Sequence, residues 1–437
     1  MAGFFTYYER CRSKMKKSNY NIFVPYDDTN IIVFNSFSGA IGLFSTDTKT
    51  RFDNNILNPD EIVQLQKKGI LIPDDFSEID QINADRIEGI TNANVAFFRI
   101  WTTSACNANC FYCFERGISP VSMTRETADQ LIRFIDSHSR TGMRIELEWF
   151  GGEPLCNTDI IDYITAGVKE ICQSKNISYI ASMISNGSLI DESIASKMET
   201  EWNVKSVQIT LDGDELTYNR IKDYNNKNIF NFRRVVAGIK LLSSHNIHVS
   251  IRMNYTTDNF DSLMRLIDYL HKEFSSYKNI FYYPYPIWDS LNSLDSNAFV
   301  SSTHADDNIL RIFDKLVTYK MSPAKQLFRL KYKKRQCASC CENGFSIFPD
   351  GKLGKCSETF TQPIGDIWNG IQDFALSNKW TNTGLDTHCR ECVYLPICQG
   401  GCRASQVTTM PQCFAYKEIV PDILRWYVHY LQSLSQK

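Results

Sequence analysis

At 437 residues the chain has room for several domains, and 43% hydrophobic with 22% charged residues is the composition of a globular protein with a sizeable core. A formal net charge of −2 argues against a nucleic-acid or anionic-membrane surface. The opening MAGFFTYYERCRSKMKK has no uninterrupted apolar stretch and no small-residue cleavage site, and no apolar run is long enough to cross a bilayer, so a cytoplasmic location is the default expectation.

Residues 1–92 read as a small α+β unit. NIFVPYD, NIIVFNS and AIGLFST are short β-rich runs broken by Asp, Asn, Ser and Gly. NPDEIVQLQKKG starts on an Asn-Pro helix signal and stops at a glycine, and ILIP fits one more strand. From residue 93 to 290 the pattern changes. Strand-like runs (NVAFFRIWTT, RIELEWFG, SYIASMISNG, SVQITLDG, NIHVSIRMNY, NIFYYPYP) alternate with helical ones such as TRETADQLIRFIDSHS and FDSLMRLIDYLHKEFS. A repeated β-then-α order predicts a parallel sheet with helices outside, and six strands suffice for a partial (β/α)6 barrel. In such folds function gathers at the C-terminal ends of the strands. Residues 291–336 read as a bridge containing a helix, NILRIFDKLVTYK. The remainder, 337–437, is rich in cysteine, poor in periodic segments, and closes on the helix KEIVPDILRWYVHYLQSLSQ.

The fifteen cysteines cannot all pair within one chain, and a reducing compartment favours metal ligation over disulfides. Cys11, Cys156 and Cys172 are scattered and read as small buried hydrophobes. Nine others lie between 337 and 413. The last three, Cys106, Cys110 and Cys113 in SACNANCFYCFERG, sit on the loop after the first barrel strand. A [4Fe–4S] cube takes four ligands, normally thiolates, and only three are local here, which leaves one iron open. A structural zinc site closes with four protein ligands, and no nearby His or fourth Cys offers itself.

CNANCFYC resembles the CxxxCxΦC motif (Φ aromatic) of radical S-adenosylmethionine (SAM) enzymes. The resemblance implies that the open iron chelates the methionine end of SAM. An electron from the cluster then cleaves SAM to a 5′-deoxyadenosyl radical, which abstracts hydrogen from a C–H bond. Other segments extend the likeness. WFGGEPL resembles the family's GGEP motif, in which Gly151, Gly152, Glu153 and Pro154 bring backbone close to the SAM amino group. ISNGSLI resembles the polar-Asn-Gly turn that related enzymes carry beside the ribose, which makes Ser185 and Asn186 the candidates there. VQITLDGDELTYNR carries Asp212 and Arg220 as its polar features. On VSIRMNY, Arg252 is a candidate for the SAM carboxylate and Asn254 for the ribose. Tyr112 is expected near adenine or in the core.

The C-terminal cysteines read C-x9-G-x4-C, a gap, then C-x2-C-x5-C-x3-C-x10-C, with Gly351 as the glycine. This resembles the SPASM extension of some radical SAM enzymes, which holds two auxiliary [4Fe–4S] clusters. The resemblance assigns Cys389, Cys392, Cys398 and Cys413 to an outer cluster. It assigns Cys341, Cys356 and Cys402 to an inner one. The fourth inner ligand is Cys337, Cys340 or an open position. Cys337 is preferred, because Cys340 and Cys341 are adjacent and successive side chains diverge in extended backbone. Three clusters in all, with SAM, are thus the expected cofactors.

Such enzymes mostly modify peptides. The expected function is a maturase that installs a thioether or carbon–carbon cross-link in a ribosomally made precursor peptide. A flavodoxin- or ferredoxin-like donor supplies the electron, and neither nucleic acid nor membrane is a partner. The 1–92 unit loosely resembles winged-helix leader-recognition elements, which bind a peptide along a sheet edge; a packing cap is the other reading. A formylglycine-forming protein oxidase of the sulfatase-maturing type is a second function, weakened because Ser357 stands where that branch usually has Asp, with Glu358 following. A non-catalytic iron–sulfur or zinc scaffold is the third.

Overall fold

The computed structural model describes residues 14–92, 94–256, 258–287, 308–382, 384–406, 413–414 and 416–435. Cys11 and the start of the expected bridge, 291–307, lie outside the described residues.

The N-terminal unit follows the expected order, with additions. Strand β1 (Met15–Lys17) precedes β2 (Asn21–Pro25), β3 (Asn30–Asn35) and β4 (Ile41–Ser45), and the last three form an antiparallel sheet with β3 in the middle. Helix α1 (Thr46–Asp53) follows, capped by Ser45. Helix α2 (Pro59–Lys67) begins on a capping box in which Asn58 accepts from the Glu61 N–H and Glu61 accepts from the Asn58 N–H. β5 (Leu71–Pro73) pairs with β1, and α3 (Glu78–Ile90) leads to the barrel.

The barrel is β6 (Val95–Thr103), α4 (Arg125–Ser137), β7 (Arg144–Gly151), α5 (Thr158–Lys175), β8 (Ser178–Ser185), α6 (Glu192–Thr200), β9 (Val204–Leu211), α7 (Glu215–Lys222), α8 (Phe232–Ser244), β10 (His248–Tyr255), α9 (Phe260–Phe274) and β11 (Ile280–Pro286). All neighbouring strand pairs from β6 to β11 are parallel. Burial alternates along β7, β8 and β9, so every second residue faces the helices while the others line the interior. The covering helices supply matching stripes; α5 buries Ile160, Ile161, Ile164, Val168 and Ile171 at helical spacing. The sixth strand and the helices were legible as periods, whereas α7, a short second helix in the β9–β10 connection, was not.

Beyond the barrel come α10 (Asn308–Thr318), α11 (Ala324–Leu327), β12 (Gly344–Ile347), β13 (Lys352–Gly354), β14 (Gly365–Asp366), β15 (Gly370–Ile371), α12 (Phe374–Thr381), α13 (Thr387–Arg390), α14 (Leu395–Cys398) and α15 (Val420–Ser435). The cysteine-rich region is not a separate layer. β12 pairs in parallel with β6, Gly344 opposite Phe97 and Ile347 opposite Ile100, so the barrel sheet runs on to ten strands in the order β11-β10-β9-β8-β7-β6-β12-β13-β14-β15. α3 closes the other side: Tyr332 Oη donates to Asp85 (2.6 Å), Arg335 to the Gly89 carbonyl (3.0 Å), and the Glu342 N–H to Ile90 O (3.0 Å). No helix among the described residues is long and apolar enough to cross a membrane.

Candidate active site

The cysteine loop leaves the C-terminal end of β6 and is pinned at both ends. Ser104 N–H donates to Val121 O (2.8 Å) and Met123 N–H to Thr102 O (2.9 Å), so the loop returns against its own strand. Asn109 N–H donates to Lys222 O (2.8 Å), and Asn225 N–H to Asn107 O (3.0 Å), which ties it to the segment after β9. Cys106, Cys110 and Cys113 thereby line one cavity of about 300 Å³, shared with Tyr112, Gly151, Gly152, Ser185, Asn186 and Lys222. Burial pushes all three thiols up, Cys113 to about 12, and the nearby Glu153 carboxylate adds to the rise at Cys106. Cys106 is exposed on its outer side, yet enough structure surrounds it to disfavour the thiolate. Three crowded thiols that resist ionisation suit a cationic centre, whose charge replaces the protons.

The GGEP turn explains its glycines through backbone. Gly151 has φ +130°, and a Cβ there would run into Thr103 O. A Cβ on Gly152 would stand 2.5 Å from Ala105 O. The turn is stitched to the cysteine loop by Gly152 N–H to Thr103 O (3.0 Å) and Glu153 N–H to Ala105 O (2.9 Å). Glu153 is fully buried beneath the cavity. It accepts from Ser185 Oγ (2.8 Å), the Asn186 N–H (2.7 Å) and the Leu155 N–H (3.2 Å), and so struts the end of β7 to that of β8. Burial raises its carboxyl to about 7 against those hydrogen bonds. Pro154 is buried too, its carbonyl accepting from Thr102 (3.1 Å).

Of the residues singled out in the sequence, Tyr112, Gly151, Gly152, Ser185 and Asn186 meet the three cysteines at this cavity, while Glu153 and Pro154 support it from below. Arg252 and Asn254, at the end of β10, are not among its lining. Arg252 Nε donates to Asn254 Oδ1 (2.8 Å) and its guanidinium lies 3.6 Å from the centre of the Tyr285 ring. Arg220 lines a neighbouring cavity of about 320 Å³ with Phe111 and Thr256. Cys172 is buried as expected. Cys156 is not: it stands exposed on the turn after Glu153, where its side chain leaves the core.

One functional group escaped the sequence reading. Lys222, at the end of α7, is buried against Asp212 (3.1 Å) and donates to Tyr112 Oη (3.0 Å), which donates to Asp212 Oδ1 (2.9 Å). Burial pulls the Lys222 ammonium down, but Asp212, Cys110 and Tyr112 outweigh it and hold the charge on. A fixed cation thus stands beside Cys110 with its counter-ion locked in place. A lysine in the last turn of a polar helix looks like any surface lysine; only the buried Asp212 at the end of β9 hints at a partner.

The second cysteine field splits in two. Short turns α13 and α14 set Cys389, Cys392 and Cys398 around a cavity of about 360 Å³ closed by Cys413 and Lys417, whose Nζ donates to Cys413 Sγ (3.4 Å). Cys389 also stands within 4.8 Å of ligand atoms of Asp386 and His388. Four thiols about one cavity fit a closed metal site. Nearer the barrel, around β12 and β13, are Cys337, Cys340, Cys341 and Cys356, while Cys402 stands between α14 and the 3₁₀ turn at 403–406. Cys337 is electrostatically close to Cys340, Cys341 and Cys356, and the Cys341 thiol donates to Gly89 O at 3.7 Å. Ser357 is buried, accepting from Arg99 (3.1 Å).

With this geometry in view, residues 101–275 match the family described as the Radical SAM superfamily. The chain contains a radical SAM domain. That domain carries the three-thiol cavity, and the chain has the radical SAM α/β fold with a parallel-strand sheet, followed by a Cys-rich C-terminal region. The chain is similar to an uncharacterized protein of Methanocaldococcus jannaschii (30% identity over 38% of this chain and 56% of that protein). It is similar to the radical SAM cyclopropyl synthase TigE of Paramaledivibacter caminithermalis (25%, over 48% and 46%). It is also similar to a cysteine-type anaerobic sulfatase-maturating enzyme of Clostridium novyi (24%, over 71% and 88%). The chain thus spans about half the length of the first two of these relatives. Among solved structures, native anSMEcpe with bound AdoMet superposes with a TM-score of 0.60 at 16% identity, over 78% of this chain and all (100%) of that one. Streptococcus suis SuiB bound to S-adenosylmethionine does so at 0.50 and 14%, over 91% and 98%. At these identities the superpositions concern the fold of the radical SAM domain and the C-terminal region.

Proposed function

We propose that this protein is a radical SAM/SPASM maturase that cross-links a ribosomally made peptide, holding one SAM-binding and two auxiliary [4Fe–4S] clusters. The observation that carries the reading is the pair of thiol cavities: three cysteines on the loop at the C-terminal end of β6, and four more beyond β15, the last strand of the extended sheet. The donor chemistry fits. The rim offers three thiols and room beside them, and the outer site offers four. Cys106, Cys110 and Cys113 would hold the rim cluster, which with SAM would supply the radical chemistry.

The residues of this chain do the rest. The glycine turn lets backbone approach the cavity where no side chain fits. Asn186 donates to Asn107 (2.8 Å) and reaches toward Cys106 Sγ (3.9 Å), orienting the cavity wall. Lys222 keeps a positive charge beside Cys110. Tyr112 is held by Asp212 and Lys222 so that its ring keeps one orientation. Arg252 and Asn254, paired with each other at the end of β10, would serve the SAM carboxylate and ribose.

A peptide substrate is supported by anSMEcpe, whose structure with AdoMet and the Cp18Cys peptide superposes at a TM-score of 0.56. In the N-terminal unit, β4 pairs on one side only among the described residues, which leaves an edge for a leader strand. A flavodoxin- or ferredoxin-like donor and a cytoplasmic setting complete the reading. The second reading, formylglycine formation, is favoured by the length of the match to the Clostridium novyi enzyme. Against it, Ser357 is buried on Arg99, so no carboxylate occupies that place.

The test is anaerobic incubation of reduced protein with SAM. Wild type is expected to release 5′-deoxyadenosine, and the Cys106→Ala/Cys110→Ala/Cys113→Ala variant none; release by the variant would refute the site. Mass spectrometry after co-expression with small peptides encoded nearby separates a cross-link from an oxidised Cys or Ser.

A further inference from the structure

The inner cysteine group poses a question of which thiol faces in. The C-x9-G-x4-C spacing starts at Cys341 and nominates it, while Cys340 lies one residue before. Successive side chains diverge where the backbone is extended, so the local conformation decides which of the two faces in. Locally, residues 338–340 form a single turn of 3₁₀ helix, closed by Cys340 N–H to Cys337 O (3.3 Å) and Cys341 N–H to Ala338 O (3.0 Å). Cys337 is the residue before that turn, with extended backbone at φ −157° and ψ 178°. The Cys340 N–H bond folds the turn back onto Cys337, and the two thiols interact electrostatically.

Cys341 has already left the turn, with extended backbone at φ −80° and ψ 145°. Its Sγ turns to the Gly89 carbonyl at the end of α3. That wall is tightly made. Arg335 donates to the same carbonyl (3.0 Å), and a Cβ on Gly89 would stand 2.8 Å from Lys334 O. Lys355 Nζ ties the carbonyls of Cys341, Glu342 and Gly344 at 2.9, 3.0 and 3.0 Å, fixing the strand that follows. Among electrostatic neighbours, Cys340 lies near Arg403, the residue after Cys402, and Cys341 near Arg335, while both lie near Lys355 and Cys337.

We propose that the inner site is made by Cys337, Cys340, Cys356 and Cys402, and that Cys341 is a buried structural thiol fastening this region to α3. The assignment rests on the reading that the C-terminal region holds iron–sulfur clusters, and it departs from the spacing that motif similarity suggests.

The experiment removes the rim cluster first, with Cys106, Cys110 and Cys113 all changed to Ala in the full chain. Iron, sulfide and low-temperature electron paramagnetic resonance are then measured after anaerobic reconstitution. This background should hold about eight irons, two cubes' worth. Adding Cys340→Ala should lower iron towards about four, or convert the inner signal to an altered cluster, as Cys337→Ala should. Adding Cys341→Ala or Cys341→Ser should keep about eight irons and the parent signal while lowering the melting temperature. Iron loss with both Cys341 variants alongside full retention in Cys340→Ala would overturn the assignment, and so would equal loss or equal retention at the two positions. A background protein with zinc and little iron would overturn the cluster reading itself, a separate outcome visible before any inner-site variant is made.

Discussion

The rim site and the outer cysteine site differ in what holds them in place. At the rim, all three thiols come from one loop, and the surrounding barrel fixes that loop with backbone bonds to Thr102, Val121 and Lys222 and with the Glu153 strut. At the outer site the thiols come from two four-residue helices (Cys389 and Cys398), the turn between them (Cys392) and a distant residue, Cys413, with little regular structure among the described residues between them. The difference teaches that the barrel itself organises the first site, whereas in the second, on the proposed reading, a bound metal would supply much of the order.

The largest expected effect breaks the comparison directly. Cys398→Ala should lower the melting temperature of the iron-loaded protein by on the order of 10 °C, since metal binding there doubles as folding energy. Cys110→Ala should change it by only about 2 °C, because the barrel keeps its own core. Differential scanning calorimetry under anaerobic conditions reads both, and equal shifts would erase the distinction.

Next is Lys222. In iron-free protein, Lys222→Met leaves Asp212 buried without its cation, and urea denaturation should show a loss of about 3–5 kcal/mol. By contrast, breaking the exposed Arg233–Glu215 pair should cost about 0–1 kcal/mol. A silent Lys222→Met would mean the rim does not depend on its buried charge pair.

Gly152→Ala sharpens the same point at smaller scale. The added Cβ meets the Ala105 carbonyl, which belongs to backbone and cannot swing away, so a cost of about 1–3 kcal/mol is expected. Titration calorimetry with SAM should also show about tenfold weaker binding, roughly 1.4 kcal/mol, because the displaced loop carries the site. Unchanged affinity would show that the close approach serves folding alone.

The smallest effect is a pH slope. Burial and, behind it, Glu358 raise the Glu115 carboxyl to about 8 from 4.5. A folded value above the unfolded one means that the folded state holds the proton more tightly. The contribution is therefore full below about pH 4.5 and is lost as pH rises through about 8. Glu115→Gln should flatten that stretch of the melting-temperature profile of the iron-free protein, and an identical slope would place the titration elsewhere.

How much of this was legible follows from where each signal is stored. The parallel strands of the barrel, its helices and the rim thiols are written in local period and spacing, and the structure brings the thiols to the strand ends as expected. The Asn58–Glu61 capping box lies under the Asn-Pro signal that announced α2. Helix α1 was missed because TDTKTRFD is poor in strong helix formers and is started by Ser45. Helix α3 was missed because its buried face includes Glu78 and Arg86, the latter donating to the Gln399 carbonyl, so the stripe does not read as apolar. The pairing of β12 with β6 joins residues some two hundred and fifty apart in sequence, and nothing in four residues, GFSI, announces it. Lys222 and the divergence of Cys340 from Cys341 belong to the same class: each depends on which neighbour the fold presents.

The central claim is that a rim cluster and two auxiliary clusters share one chain, and iron counting with Mössbauer spectroscopy on anaerobically prepared protein tests it most directly. Wild type should hold about twelve irons, all in [4Fe–4S] form, with one site perturbed by added SAM, and the rim triple-alanine variant about eight with no response to SAM. Stoichiometric zinc with little sulfide, or an undiminished SAM response in the triple variant, would contradict the account.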